Sequence, residues 1–526
     1  MKLLKAFDET SISESAVRIE TSITSLRLSE AQWGRIRSEL LKPCGREHHL
    51  FAILGRSGDA LTVHRLMVPS EEDYEVCSPH YVALSQAFVL QVLRAYEGMG
   101  GAGLLDLHSH PFQEKAAFSS TDLAFYGRML AHVLERVPGG TFMAGVLGTA
   151  EEGFLLEAHS AFAAGSDVRG ILPQSGSLVP EIEVVGRTGT RSIRSWRAPA
   201  SSADDIPNPE GWFNAYERNA QIRTPEENDR VASARVAIVG AGGIGSEMAR
   251  LIALLGVRDI ALIDADNVEP RNLNRLLWAS AEDEGRPKVD CLAETLQRHD
   301  PVRKVHAIAT PFPSPEAVHA LERADLVLVG VDSDRARFDV LRLCVRHLRP
   351  AVDAGTAIFL DEAGSRERLR AGHIWTYLPG EHRCWLDMGL DGPGLWDPGL
   401  LEARRQAGYV IDVDSGAAAG SVQTLNALVA SLAVQAAEQL LKGRDPGPEM
   451  VQVSIDIAGP MKTRVRAMRI AGEPGCPLCG TNGFEGEGGN PFVDGAAASK
   501  VDNDITDLPA LPESGPPIER RSGAKA

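Results

Sequence analysis

Two stretches of the chain carry side chains whose types and spacing could do chemistry. The first is LLDLHSHPFQEKAAFSSTD, residues 104–122. His108 and His110 fall two apart in a strand-like run, so the period-two alternation of a strand turns both imidazoles to one side. Two imidazoles on one face are two ready zinc ligands. Asp122 supplies a third and leaves a fourth position for water, as catalytic zinc requires. Ser119-x-x-Asp122 is also the pattern of a helix capping box, and a ligand at the start of a helix can serve both purposes.

The second stretch is GAGGIG, residues 240–245, which fits GxGxxG through Gly240, Gly242 and Gly245. It follows a strand and opens a helix, so phosphates can approach backbone N–H groups at the helix N-terminus. Asp264 ends the next strand, where it can bind ribose hydroxyls. Taken alone this is a dinucleotide fingerprint with NAD as the default ligand. The following DADNVEPRNLNR (264–275), Lys288 in EGRPK and Asp332 at the end of LVLVGVD suit a triphosphate and Mg²⁺ better. Arg275 and Lys288 can neutralise phosphate, and Asp332 can hold Mg²⁺. There is no Walker A sequence. A third, smaller signal is CPLC: Cys476 and Cys479 make half of a structural zinc site, or a pair of reduced thiols in a turn.

The elements that must position these groups fall into two blocks. In the first, LFAILG (50–55), LTVHRLMV (61–68), GLLDLHSH (103–110), TFMAGVLG (141–148) and GFLLEAH (153–159) read as strands. YVALSQAFVLQVLRAY (81–96) reads as a helix, and a second helix starts near Ser119. This is an α+β pattern. The second block alternates strands RVAIVG (235–240), DIALID (259–264), KVHAIAT (304–310), ADLVLVGVD (324–332) and PAVDAG (350–355) with helical runs. Continuous apolar strands suit a doubly wound, mainly parallel sheet covered on both faces. The expected fold class is α/β overall. The expected division is 20–195, a linker at 196–211, a second domain at 212–480, and a disordered Gly- and Pro-rich tail at 481–526.

Composition agrees with a globular protein and excludes several classes. Of 526 residues, 44% are hydrophobic and 24% charged, and 54 Lys and Arg against 71 Asp and Glu leave a net charge of −17. That balance lacks the electrostatic footprint of a nucleic-acid binder or of a protein drawn to anionic membrane. The charge-free stretch 415–437 contains Gln423, Thr424, Asn426 and Ser431, which suits a buried helix and not a membrane span. Seven cysteines in so long a chain make no disulfide framework. The expected location is the cytoplasm.

HSHP followed by S-x-x-D resembles the JAMM motif of MPN/JAB-domain metalloproteases, over most of residues 20–165. That family cleaves isopeptide or peptide bonds after the C-terminus of ubiquitin-like proteins. The resemblance implies His108, His110 and Asp122 as zinc ligands and Ser119 as hydrogen-bond donor to the developing oxyanion, with Ser120 as the alternative donor. It also implies an upstream general base. Glu47, in EHHLFAILG, occupies the matching position; its bland reading is a solvated loop carboxylate.

VAIVGAGGIGS, DADNVEPRNLNR, GRPK, VDSD and DAGT resemble the ThiF/MoeB-type adenylyltransferases, which include the ubiquitin-activating enzymes, from about Tyr216 to Cys479. That family activates the C-terminal carboxylate of a ubiquitin-like or sulfur-carrier protein with ATP and Mg²⁺. The resemblance implies Asp264 and Asp266 near ribose and metal, Asn272, Arg275 and Lys288 on the phosphates, and Asp332 on Mg²⁺. Arg218, in YERN, matches an arginine that reaches the neighbouring subunit's nucleotide, which implies a homodimer. Relatives often complete a zinc site with a second CxxC. Here LPGEHRCWLDM offers Cys384 and Asp387, giving a Cys384, Asp387, Cys476, Cys479 set for a second, structural Zn²⁺. The alternative makes Cys384 the thioester-forming nucleophile.

Together the resemblances imply a zinc isopeptidase or precursor-processing unit fused to an activating unit, as in bacterial ubiquitin-like conjugation systems. The implied partner is a small protein ending in Gly-Gly, with a conjugating enzyme as a further partner, and neither nucleic acid nor membrane. Sulfur-carrier activation for thiamine- or molybdenum-cofactor-type biosynthesis and a non-catalytic scaffold are the competing readings.

Overall fold

The computed structural model describes residues 23–119, 122, 126, 140–160, 177–198, 216–219, 221–360, 366–381, 383–384, 421–470, 472, 474–476, 478–480 and 483–491. Asp387, Ser120, most of the expected linker and most of the expected tail lie outside the described residues.

The first unit is built on a nine-stranded sheet. Its elements are β1 (Ser25–Ser29), α1 (Glu30–Leu40), β2 (His49–Ser57), β3 (Ala60–Met67), β4 (Tyr74–Cys77), β5 (Val82–Leu84), α2 (Gln86–Met99), β6 (Gly103–Ser109), β7 (Thr141–Leu147), β8 (Phe154–Ser160), β9 (Ser177–Leu178), β10 (Glu181–Gly186) and β11 (Gly189–Arg194). The strand order is β11-β10-β1-β3-β2-β6-β7-β8-β9, with β4 and β5 forming a separate ribbon. Alternation along β2 explains the packing: Leu50, Ala52 and Leu54 join Trp33, Ile36 and Leu40 of α1. Phe51 and Ile53 join Phe88, Val92 and Tyr96 of α2 on the opposite face. The expected helix 81–96 starts later than its apolar pattern suggests. Val82–Leu84 pairs with β4, and Ser85 then caps α2 by accepting from Phe88 N at 3.2 Å.

The second unit comprises α3 (Pro225–Ser233), β12 (Arg235–Val239), α4 (Gly245–Leu255), β13 (Asp259–Ile263), α5 (Lys288–His299), β14 (Lys304–Ile308), α6 (Pro315–Arg323), β15 (Leu326–Val329), α7 (Asp334–Arg346), β16 (Ala351–Leu360), β17 (Glu367–Tyr377), α8 (Gln423–Leu441), β18 (Met450–Asp456) and β19 (Lys462–Met468). The sheet order is β14-β13-β12-β15-β16-β17-β18-β19. Neighbours from β14 to β16 are parallel, as their apolar runs require. β16 to β19 are antiparallel, which no apolar run announced. Val236, Ile238 and Leu328 face α4, α5 and α8, while Ala237, Val239 and Val327 face α6 and α7. The sheet is therefore covered on both sides. Among the described residues no helix is long and apolar enough to cross a membrane.

Residues 483–491 correct the expected tail. GFEGEGGN lies between the two units as a clasp. Gly486 N and Gly488 N donate to Val345 O and Arg346 O on α7, at 3.2 and 2.8 Å. On the other side Thr62 Oγ1 donates to Gly486 O at 2.6 Å, and Gly489 N donates to Arg56 O at 2.9 Å. Gly486 and Gly488 have φ of +76° and +67°, so the glycine content that reads as disorder serves turns that side chains resist. The Glu485 carboxylate accepts from Tyr377 Oη and Gly380 N at 2.9 and 2.8 Å.

Charge reinforces this junction. Arg187, between β10 and β11, reaches Glu449 at 2.8 Å and Asp445 at 3.1 Å. Deeper in, burial pushes the Glu183 carboxyl up, but Arg27, Arg349 and Ser25 outweigh it and hold it at about 2. The stabilisation is therefore complete above the ordinary carboxylate value of 4.5 and fades as pH falls towards 2. Glu183→Ala should lower the denaturation midpoint at neutral pH, with a deficit that shrinks between about pH 4.5 and pH 2. A deficit independent of pH over that interval would remove the ion pair as its cause.

Candidate functional site

The JAMM-like residues converge. His108 lies on β6, and His110 follows it on backbone that still pairs, donating from N to Leu147 O at 2.9 Å. The two Nε2 atoms are 3.2 Å apart. Asp122 Oδ1 stands 3.3 Å from His108 Nε2, and Oδ2 stands 3.5 Å from His110 Nε2. The carboxylate is fixed by the capping box that the spacing suggested. Ser119 N donates to Asp122 Oδ2 at 2.6 Å, and Asp122 N donates to Ser119 Oγ at 3.2 Å. Three donors of the kinds zinc prefers thus lie within 4.8 Å of one another, and their chemistry fits that ion.

Glu47 completes the group. It is buried, with Oε1 3.8 Å from His110 Nε2, and not the solvated carboxylate of the bland reading. Burial lifts its pKa to about 7, with Asp122 adding to the rise and His110 opposing it. Burial lowers His108, towards the neutral imidazole a metal ligand must be. Burial opposes protonation of His110 as well, but Asp122 and Glu47 outweigh it and raise it. The group opens into a cleft of about 440 Å³, walled by Tyr81, Val82 and Leu84 of the β4–β5 ribbon and by Phe112. Sequence reasoning missed His49, Asp106 and Tyr126, which back the group. His49 stands directly opposite His108 across β2–β6 and lies 2.7 Å from Asp106 Oδ1.

Apart from Gly245 and Arg218, the residues expected to meet a nucleotide line a second cleft, of about 1530 Å³, at the carboxyl ends of β12, β13 and β15. β12 pairs with β13 on one side and β15 on the other, so this is the switch point where open α/β sheets bind ligands. Gly240 has φ of +97°, and a Cβ there would lie 2.8 Å from Gly330 O. Gly242 faces open space. A Cβ on Gly245 would overlap Gly240 O, which keeps the turn tight. Asp264 Oδ2 accepts from Ala241 N at 2.6 Å, and Oδ1 accepts from Asp266 N at 2.8 Å. Burial raises its pKa, against those two hydrogen bonds.

Lys288 opens α5 and its Nζ is 2.7 Å from Asp266 Oδ2. Asn272 is buried and accepts from Glu269 N at 3.1 Å; Arg275 donates to Arg271 O at 3.0 Å. Asp332 is exposed on the rim beyond β15. All of these line the cleft. Arg218 does not: it is exposed in the segment 216–219, away from its own chain's cleft. The sequence reading also missed Arg337 and His373, both on the carboxylate of Asp353 at 2.9 and 3.0 Å, and Arg464 and Arg466 on β19.

Cys384, Cys476 and Cys479 are all buried and lie within 4.8 Å of one another, with Cys384 Sγ 3.5 Å from Cys476 Sγ. Hydrogen bonds from Cys384 and Cys479 lower the Cys476 thiol, which favours a thiolate among the three. The donor set fits zinc through three sulfurs. A nucleophile has to meet its partner, and Cys384 has no exposed surface.

The ThiF family model matches residues 216–478. The sulfur carrier protein adenylyltransferase of Thermus thermophilus is 32% identical over 128 residues, covering 24% of this chain and 47% of that protein. Ubiquitin-like modifier-activating enzyme 5 of Culex quinquefasciatus is 29% identical over 218 residues, covering 40% and 53%. The chain spans about half the length, or less, of the curated relatives it matches. A solved structure of E. coli MccB with ATP aligns at 22% identity and a TM-score of 0.39, covering 52% of this chain and 76% of that one. With half of its residues, 216–478, matched by one family model, the chain belongs to the ThiF family.

Proposed function

We propose that the chain adenylylates the C-terminal carboxylate of a ubiquitin-like or sulfur-carrier protein, and that its first unit cleaves a peptide or isopeptide bond at that same C-terminus. The observation that carries the first half is the cleft at the β12–β15 switch point, where a glycine turn, Asp264, Lys288 and Arg275 surround space for a nucleotide beside Asp332. The substrate carboxylate attacks the α-phosphorus of ATP, forming an acyl-adenylate and releasing pyrophosphate. Lys288 and Arg275 offset the charge that accumulates on the phosphates, and Asp332 would hold Mg²⁺. Arg218, which is exposed, would serve the cleft of a second subunit in a homodimer.

In the first unit His108, His110 and Asp122 would hold zinc. A zinc ion there supplies the Lewis acid that brings the ionisation of water near neutral pH. Glu47 takes the proton of the attacking water and passes it to the departing amine, while Ser119 donates to the oxyanion. Cys384, Cys476 and Cys479 would hold a second, structural zinc.

The test of the activating half is pyrophosphate–ATP exchange by the whole chain with a small protein ending in Gly-Gly. Asp332→Ala should reduce exchange at least a hundredfold by loss of the metal ligand. Exchange at the wild-type rate in that variant, or tight NAD binding with no exchange, would overturn the assignment.

A further inference from the structure

Tyr126 is buried beneath the histidine pair, with its hydroxyl 2.9 Å from His108 Nδ1 and 3.1 Å from Gly145 O. The Asp106 carboxylate is an electrostatic neighbour of that hydroxyl. A phenol has one proton to give. The Gly145 carbonyl can only accept, and the phenol proton goes to it. The contact with His108 must then run the other way, with imidazole Nδ1–H donating to the phenol oxygen. A neutral imidazole carries one N–H, so its Nε2 is left as a bare lone pair. That Nε2 is the atom 3.2 Å from His110 Nε2 and 3.3 Å from Asp122 Oδ1.

We propose that Tyr126 is a positioning residue: together with Gly145 it holds His108 as the Nδ1–H tautomer, ready to ligate a divalent metal through Nε2. The proposal rests on the reading of His108 as a metal ligand. Tyr126 lies four positions beyond Asp122 in the sequence, so one short segment delivers both a ligand and the group that orients another ligand. Asp106 lies two residues before His108 on the same face of β6, and His49 holds it from the facing strand. The network thus joins β6, β7 and the segment that carries Tyr126, with β2 supporting it through His49, and its metal-facing atom is His108 Nε2.

The experiment uses the whole chain. Zinc affinity is measured by chelator competition in wild type, Tyr126→Phe and His108→Ala; the binding lost in His108→Ala defines this site apart from the three cysteines. Tyr126→Phe should weaken that component about 10- to 100-fold, the usual effect of removing such a partner. In parallel, ¹⁵N-histidine NMR of the metal-free protein should show His108 protonated at Nδ1 in wild type and shifted towards Nε2–H in Tyr126→Phe. Equal zinc affinity in Tyr126→Phe, or a bare Nδ1 in wild type, would overturn the proposal. A wild type that binds no zinc through His108 would sink the metal-site reading instead, and the NMR result would still decide what Tyr126 does. The wild-type spectrum gives its answer even if the variant fails to fold.

Discussion

Glu47→Gln should keep zinc in the first unit and lose at least a hundredfold in cleavage of a ubiquitin-like fusion after its terminal Gly-Gly. The amide keeps the size of the carboxylate, and Glu47 is not among the three converging donors, so metal content should hold. What disappears is a base for the attacking water, worth about 10²- to 10⁴-fold in a proton-transfer step. Zinc content by elemental analysis and cleavage by mass spectrometry are measured on one preparation. Wild-type cleavage would remove Glu47 from the mechanism; loss of the metal would make it a ligand instead.

Gly245→Val should abolish pyrophosphate–ATP exchange and leave the zinc of the first unit in place. A side chain at Gly245 must overlap the backbone carbonyl of Gly240, which has no rotamer with which to move aside. The turn would have to open, carrying Ala241 N away from Asp264 and disturbing the start of α4. Exchange should fall to background, while metal retained in the first unit shows that the other cleft is intact. Exchange within tenfold of wild type would mean that phosphates do not rest on this turn.

The two sites differ in how much of them could be read from the sequence. The glycine turn, Asp264 and Asp332 each follow or end a strand whose apolar run marks it as buried, and Arg275 and Lys288 come soon after Asp264. Local pattern and β–α alternation gathered these five, and the family resemblance added Asp266 and Asn272. The His108–His110–Asp122 triangle was legible for the same reason, since strand alternation and a capping box are local rules. Groups supplied by distant segments were not legible. Arg337 on α7 meets His373 on β17, and Asp106 on β6 meets His49 on β2, through pairings that no local period announces. β16 was legible in PAVDAG, but β17 to β19 were not; β19 is almost wholly exposed along its length, so its side chains show no alternation of burial. The clasp was misread because glycine-rich composition stands equally for a chain that cannot pack and for a backbone threaded where side chains cannot fit.

That clasp also fixes an order of events during synthesis. Thr62 and Gly486 are separated by 424 positions, so the β2–β3 hairpin leaves the ribosome long before the segment that covers it exists. At about 5 to 20 residues per second, roughly 20 to 85 seconds pass between the two. From the emergence of β11 onward the first unit has all the strands of its own sheet but an uncovered seam, until the segment around Gly486 follows.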